Sequence, residues 1–385
     1  MLKNSQLFFF VLLWYSLPML VLFHNDIYVF NSLIILFVFL ISYSYSFFMF
    51  KKLHLNVIKT FKLNVNIVHK TLLIITFFIS IYYLSRIPGQ SLYNLRMDFY
   101  ESRGIFSNTI LTTLYGSILM PLIVISITVL SFRFKDFKKY VLLGFLILLF
   151  DAILRQGRFQ LLFILFFLFY FKDIYKIKFK YILLTVFLAL VFSFYTLYTR
   201  VFINDAAISD LSDFLVPKVI FNSSLNYQLY GFVFLDNLVE NLSPIGTFFE
   251  FNLFNQIFYL TNTFFLTKIG LFLHYPWETY NLILDQGVYS NHFDFDFNAF
   301  STNFYPIFLD YGYFGIFFYG VFSGYFTAIN SDNEFVKVIK TLNIFILIFG
   351  LYQPIIVYLV GFIYLISGLY IFFSHFTRAL RFVKL

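Results

Sequence analysis

The charged residues best suited to ligand binding or catalysis interrupt an apolar stretch, residues 140–170. The interruption consists of Asp151, Arg155, Gln156, Gly157 and Arg158. A charged side chain at membrane depth costs about 2.5 kcal/mol or more, so it usually has a partner or a function. The stretch therefore predicts two short helices joined by a charged hinge. Roughly 15 apolar residues on each side reach only about 22 Å, less than the ~30 Å hydrocarbon core, which predicts a hinge sunk in a cavity.

Further arginines are predicted, like Arg155 and Arg158, on or near the outer face of the membrane. They are Arg86, Arg96, Arg103 and Arg200. Arginine suits bidentate contact with phosphate and stays charged when partly dehydrated, so the group predicts an anionic, phosphate-bearing ligand. The alternative for each residue is an interfacial position or an ion pair, for example Arg155 with Asp151 at i, i+4 spacing.

A second candidate segment is residues 289–315, which is rich in aromatic residues suited to stacking on sugar rings. Within it, His292, Asp294 and Asp296 could act as a general base or hydrogen-bond a sugar hydroxyl. The alternative for His292 is a structural role. Two carboxylates at i, i+2 are too few to predict a metal site, and none is expected. Gly312 and Gly315 are interpreted as permitting close helix packing.

Composition places these residues in a membrane protein. The 385-residue chain is 61% hydrophobic and only 12% charged, whereas a soluble domain would have about 25% charged residues. The formal charge of +8 is explained by lysines in cytoplasmic loops, so nucleic-acid binding is not predicted. Cysteine is absent, which excludes disulfides, thiolate metal sites and a cysteine nucleophile.

Charge distribution predicts the topology of one integral membrane domain, residues 1–385. Basic segments without a matching number of acids mark the cytoplasmic side, at residues 51–70, 133–139 and 172–180. Residues 200–303 hold three basic against ten acidic residues, which predicts a large extracytoplasmic loop. Its stretches 214–235 and 251–273 suit amphipathic helices lying on or dipping into the membrane, with a transmembrane pair as the alternative.

The remaining crossings complete an all-α polytopic fold of about ten transmembrane helices with both termini cytoplasmic. Residues 304–328 are predicted to cross inward, and residues 330–340 to form a short inner loop. The last apolar run, 341–373, is predicted to divide at Pro354, because proline removes a backbone donor and clashes with the preceding turn.

Four features of the chain belong together: Arg155-Gln-Gly-Arg158-Phe-Gln-Leu-Leu162, the large outer loop after the following span, Asn298-Ala-Phe-Ser-Thr302 and Asp310-Tyr-Gly-Tyr-Phe-Gly315. In type and order they resemble the bacterial O-antigen or oligosaccharide repeat-unit polymerases (Wzy type). It implies a GT-C-like, metal-independent glycosyltransferase in the bacterial inner membrane. Such an enzyme moves a growing glycan from undecaprenyl pyrophosphate onto the non-reducing end of another lipid-linked repeat unit. Related ligases place a His-Asn motif where this chain has His292-Phe293.

The residues and the resemblance together give the candidate site. Arg155, Arg158 and His292 are the catalytic candidates. The candidates for binding pyrophosphate or glycan are Arg96, Arg103, Arg200, Asp294, Asp296, Asn298, Thr302 and Asp310. Neither a metal nor a cofactor is implied. The implied partners are the undecaprenyl-pyrophosphate-linked donor and acceptor and the lipid bilayer, and a chain-length regulator protein is left open.

Three other functions remain as alternatives. A lipid-linked oligosaccharide flippase or transporter also needs cations for a pyrophosphate, but transporters usually show repeated halves and short loops on both sides. An O-antigen ligase differs only in its acceptor. A polyprenyl-phosphate-sugar glycosyltransferase tends to keep an acidic motif in a sizeable first outer loop, which here is residues 24–26.

Overall fold

The structure, a computed structural model, describes only part of the chain. The described residues are 3–24, 29–53, 65–87, 98–99, 104–155, 159–204, 231–233, 235–236, 239, 252–271, 288–290, 295–297, 302–351 and 355–383. The chain divides into two compact units. Unit 1 comprises residue 1 and residues 61–216, and unit 2 comprises residues 2–60 and 217–385.

Helices make up most of the described residues. In chain order they are α1 (Asn4–His24), α2 (Phe30–Phe50), α3 (Val65–Leu84), α4 (Thr109–Thr113), α5 (Met120–Ser131), α6 (Phe134–Leu154), α7 (Phe159–Tyr170), α8 (Lys172–Tyr175), α9 (Phe179–Asn204), α10 (Asn255–Phe264), α11 (Phe304–Ala328), α12 (Glu334–Phe349) and α13 (Leu359–Val383). A π-helical segment, Leu114–Leu119, joins α4 to α5. Short 3-10 turns lie at Gly104–Phe106, Asn252–Phe254, Leu266–Ile269 and Ile355–Val357.

Four stretches of the described helices are long and apolar enough to cross a membrane. They are Asn4–Leu22, Phe30–Phe50, Asn66–Leu84 and Thr109–Ser131. Shorter apolar helices lie at Phe159–Tyr170, Phe179–Phe192 and Leu359–Ser374. The prediction of a helical membrane protein is therefore confirmed, and the total of about ten crossings stays a prediction.

The large loop contains one element that the all-helical prediction did not include. Strands β1 (Val288–Ser290) and β2 (Phe295–Phe297) form an antiparallel pair in which Tyr289 lies opposite Asp296.

Further along the chain, α12 begins at Glu334 and not at residue 341, so the predicted inner loop was too long. The reason is local: the Asn333 side chain accepts a 2.8 Å bond from the Phe335 N–H and caps the helix.

The predicted division of the last apolar run is confirmed. Helix α12 ends at Phe349, and α13 begins at Leu359 after the 3-10 turn Ile355–Val357. Asn303 ties these ends together, because its side chain donates to the carbonyl oxygen of Ile346 (3.0 Å) and accepts from the Ile356 N–H (3.1 Å). The Asn303 N–H also donates to the carbonyl oxygen of Gly350 (2.6 Å), so one residue serves several of the unpaired groups at a helix end.

Helix α11 packs closely on α2 along a line of small residues. An added Cβ at Gly320 would lie 2.8 Å from the carbonyl oxygen of Phe39, and one at Gly324 would overlap the carbonyl oxygen of Tyr43. On α2, Ser46 donates from its Oγ to the carbonyl oxygen of Val321 at 2.7 Å. Small residues four positions apart let membrane helices approach and hydrogen-bond in this way.

Gly312 and Gly315 have different roles in α11. Gly312 has φ +57° and ψ −147°, a conformation open almost only to glycine, and it breaks the helix. An added Cβ at Gly315 would lie 2.9 Å from the carbonyl oxygen of Ile307, upstream of the break. Close packing therefore explains Gly315, whereas the interpretation of Gly312 is corrected to a conformational role.

We expect Gly324→Ala to destabilise the protein, because the added methyl group must push α11 away from the α2 backbone. Overpacking of this kind costs about 1–3 kcal/mol, which thermal unfolding of the purified protein in detergent would register as a lower midpoint. Phe318→Ala, at an exposed position of the same helix, is the control and should shift the midpoint little. Equal midpoints for Gly324→Ala and the wild type would contradict the packing described.

Candidate functional site

The charged interruption lies at a helix break in unit 1, as predicted. Helix α6 ends at Leu154 and α7 begins at Phe159. Arg155 occupies the C-terminal cap of α6, where its backbone N–H donates to the carbonyl oxygen of Asp151 at 3.0 Å. Arg158 lies outside the described residues.

A buried carboxylate fixes the Arg155 side chain. The Nε of Arg155 donates to Asp151 Oδ1 at 2.8 Å, and the Nε2 of Gln160 donates to Asp151 Oδ2 at 2.7 Å. The Asp151 side chain is 1% exposed and the Arg155 side chain 16%. The i, i+4 ion pair that the sequence left open is therefore present, and Gln160 links it to the start of α7.

Two aromatic rings flank the guanidinium group. The Arg155 Cζ lies 4.4 Å from the centroid of the Phe99 ring and 5.8 Å from that of Tyr115. Both distances are within the range of a cation–π interaction, which strengthens as the cation loses water. Phe99 is held by an edge-to-face contact with Phe106 at 5.0 Å, so the segment before α4 forms part of the wall around Arg155.

The π-helical segment supplies the other part of that wall. Tyr115 and Gly116 lie within it, and the Tyr115 hydroxyl is 3.3 Å from Ser80 Oγ on α3. An added Cβ at Gly116 would lie 2.9 Å from Phe99 Cζ and 3.4 Å from Arg155 Nη2. The position of the Phe99 ring beside Arg155 therefore depends on glycine at residue 116. Single π-helical turns within α-helices are frequent at functional sites.

Thr302 and Asp310 belong to unit 2, where both bind backbone groups. The buried Asp310 carboxylate accepts from the N–H and the Nδ2 of Asn252 (2.7 and 2.8 Å) and from the N–H of Leu253 (2.9 Å). The Thr302 Oγ1 accepts from the Phe304 N–H at 3.2 Å, at the start of α11. Asp310 thus anchors the segment that leads into α10.

Helix α10 turns its polar residues inward. Asn255, Gln256 and Asn262 are buried, whereas Phe265 and Ile269 just beyond the helix are 69% and 67% exposed. Its ten residues span about 15 Å, which is too short to cross a bilayer. This arrangement suits a segment at the membrane interface with its carboxamides toward the protein. A strip of Asn and Gln within an apolar stretch was the signal in the sequence, but it did not show which side is buried.

The other candidate residues are less fully placed. Arg96, Arg103, His292, Asp294 and Asn298 lie outside the described residues. For two more only the backbone is described: Arg200 is in α9 and Asp296 is in β2. Arg86 is exposed, with its Cζ 4.3 Å from the centroid of the Tyr82 ring, and its interfacial position stays a prediction. Within the described parts of the chain, no three His, Asp or Glu side chains are grouped as metal ligands would be.

Sequence reasoning missed the residues that hold Arg155 in place. Gln160 stands in the quoted motif but had no role assigned, and Phe99, Tyr115 and Gly116 come from segments 39 to 56 residues before Arg155. Comparison with protein-family models, with curated proteins and with solved structures finds no match to this chain.

We expect Asp310→Asn to loosen the start of the α10 segment. The asparagine amide has only one acceptor oxygen, and its NH₂ group would face N–H groups that now donate to the carboxylate. Leaving such a buried donor without an acceptor costs about 1–3 kcal/mol. Hydrogen exchange followed by mass spectrometry should show faster exchange in peptides covering Asn252 and Leu253. Asp332→Asn, at an exposed carboxylate of the same unit, is the control. Unchanged exchange in the Asp310 variant would mean that its carboxylate does not anchor this segment.

Proposed function

We propose that this protein is a metal-independent glycosyltransferase that polymerises undecaprenyl-pyrophosphate-linked repeat units into O-antigen or capsule-type polysaccharide. It acts on the outer face of the bacterial cytoplasmic membrane, with both termini cytoplasmic. The observation that carries the proposal is the Arg155 guanidinium group, held at a helix break by buried Asp151 and flanked by Phe99 and Tyr115.

The reaction requires a fixed cation near the leaving group. The acceptor hydroxyl forms a bond to the anomeric carbon of the donor glycan, and the bond from that carbon to the pyrophosphate oxygen breaks. The pyrophosphate leaves with the electron pair, while a base accepts the hydroxyl proton, a role for which His292 is the candidate. Preorganised donors aimed at developing negative charge are usually the largest catalytic contribution.

The Asp151 bond supports a role in positioning Arg155. It engages the Nε edge of the guanidinium group and, with Gln160 on the second oxygen, restricts the rotation of a long side chain before any ligand binds. Less rotamer entropy is then lost when an anion is bound. The carboxylate also compensates one positive charge, so the proposed pyrophosphate site needs a further cation, and Arg158 is the candidate nearest in sequence.

The two flanking rings are expected to strengthen the attraction between Arg155 and a bound anion. Phe99 and Tyr115 are buried and displace water from the faces of the guanidinium group. A cation in such surroundings interacts with an anion more strongly than it would in bulk water, because the local dielectric constant is lower. A planar guanidinium group also keeps its charge there, which a lysine does less reliably.

We expect Arg155→Ala to lower the rate of polymerisation by about 10² to 10³, by analogy with the loss of one oxyanion-hole donor. The measurement is the length distribution of glycan in a deletion strain that expresses the variant at wild-type membrane abundance. Arg155→Lys should recover only part of the activity, since it restores charge without the planar pair of donors. Arg133→Ala is the matched control, because it removes an exposed arginine of unit 1 from a segment predicted to lie on the cytoplasmic side.

The deletion strain itself separates the alternatives. A single repeat unit on the lipid core is the expected result for a polymerase. Bare core would indicate a ligase, and repeat units accumulating on the inner leaflet would indicate a flippase. Wild-type chain length in the Arg155→Ala strain would contradict the role given to this residue whatever the deletion shows.

A further inference from the structure

A cavity of about 620 Å³ opens in unit 2, where α1 begins and α2 ends. Three exposed lysines line it, Lys3, Lys51 and Lys52. Among the described residues that line the cavity, none is acidic. Its volume is within the range of sites that bind small molecules, about 300–1,000 Å³, and its charge favours an anion.

The wall of the cavity is held in place by hydrogen bonds. Asn4 lines the cavity, and its Nδ2 donates to the carbonyl oxygen of Ala328 (2.6 Å) and to Asn330 Oδ1 (3.0 Å). Behind it, the amine of Lys340 donates to Asn4 Oδ1 (2.6 Å) and to the carbonyl oxygen of Ile329 (2.9 Å). Lys340 is only 7% exposed and holds Asn4 from behind the wall.

The same cavity has an apolar side. Phe9 and Phe48 line it and are 60% and 53% exposed. Phe8 lies between them, with ring centroids 5.4 Å from Phe9 and 5.2 Å from Phe48. The Nζ of Lys51 lies 4.7 Å from the centroid of the Phe48 ring, so basic and aromatic surfaces are in direct contact. An occupant that matches both surfaces has an anionic head and an apolar tail.

We propose that this cavity binds one anionic phospholipid of the surrounding bilayer. Lys3, Lys51 and Lys52 contact the lipid phosphate, and an acyl chain lies against Phe9 and Phe48. Basic residues close to a membrane surface attract anionic lipids, but a general attraction would not need the fixed wall or the exposed aromatic side. The site is independent of the proposed glycosyltransferase activity.

The test compares two triple variants of the full-length protein in neutral detergent. Lys3→Gln, Lys51→Gln and Lys52→Gln are combined in one variant. The matched control combines Lys135→Gln, Lys138→Gln and Lys139→Gln, which removes three exposed lysines of unit 1. Phosphatidylglycerol is titrated into each, and the thermal unfolding midpoint and the number of lipids retained in native mass spectra are measured. We expect the wild type and the control to bind one lipid tightly, and the cavity variant to bind at least tenfold more weakly.

Further arms distinguish the lipid from other anions. Phosphatidylcholine should raise the midpoint much less than phosphatidylglycerol, because its head group is neutral overall. Inorganic phosphate should not substitute for the lipid, and Phe48→Ser should weaken binding while all three lysines remain.

Equal weakening in both triple variants would overturn the proposal in favour of general surface charge. Equal protection by inorganic phosphate would overturn it in favour of a free anion. Where the triple variant does not fold, Lys52→Gln alone decides, and unchanged lipid retention in it counts against the site.

Discussion

The arrangement of unit 1 around its helix break depends on one buried ion pair. Asp151 is almost fully enclosed, and without the Nε of Arg155 it would be a buried charge lacking compensation, which costs several kcal/mol. The pair fixes the guanidinium group, Gln160 ties it to α7, and Phe99 and Tyr115 are stacked around it. Replacement by well-packed apolar residues would often be as stable, so stability alone does not explain a pair of this kind.

Several buried polar groups elsewhere bind backbone groups near the start of a helix or join one helix to another. Asp236 accepts from the Ser32 N–H at 2.9 Å near the start of α2, and Asp310 does the same for the segment leading into α10. Asn343 joins three groups in unit 2, donating to the Ser323 carbonyl oxygen and Thr327 Oγ1 and accepting from the Tyr364 hydroxyl at 2.6 Å. Since lipid offers no hydrogen bonds, the chain must supply every partner itself.

Much of this was predictable from sequence, for identifiable reasons. Charges inside an apolar run located the break between α6 and α7, and Pro354 located the division before α13, because both signals are local and costly to violate. The start of α12 was missed because Lys337 and Lys340 were read as loop residues, whereas Lys340 is buried against Asn4. The surroundings of Arg155 were missed because they come from distant residues. The backbone contacts of Thr302 and Asp310 were missed because the same residue types can bind either a glycan or a backbone N–H.

The π-helical segment Leu114–Leu119 changes how the helical faces of the candidate membrane span Thr109–Ser131 must be assigned. Relative to an unbroken α-helix it accommodates one extra residue, which rotates everything before it by roughly 100° about the axis. A helical wheel continued from Thr109 to Ser131 would therefore assign the wrong faces on one side of the segment. A deletion of one residue within the segment would look harmless in an alignment. It would nevertheless rotate Tyr115 and Gly116 about the helix axis relative to α5.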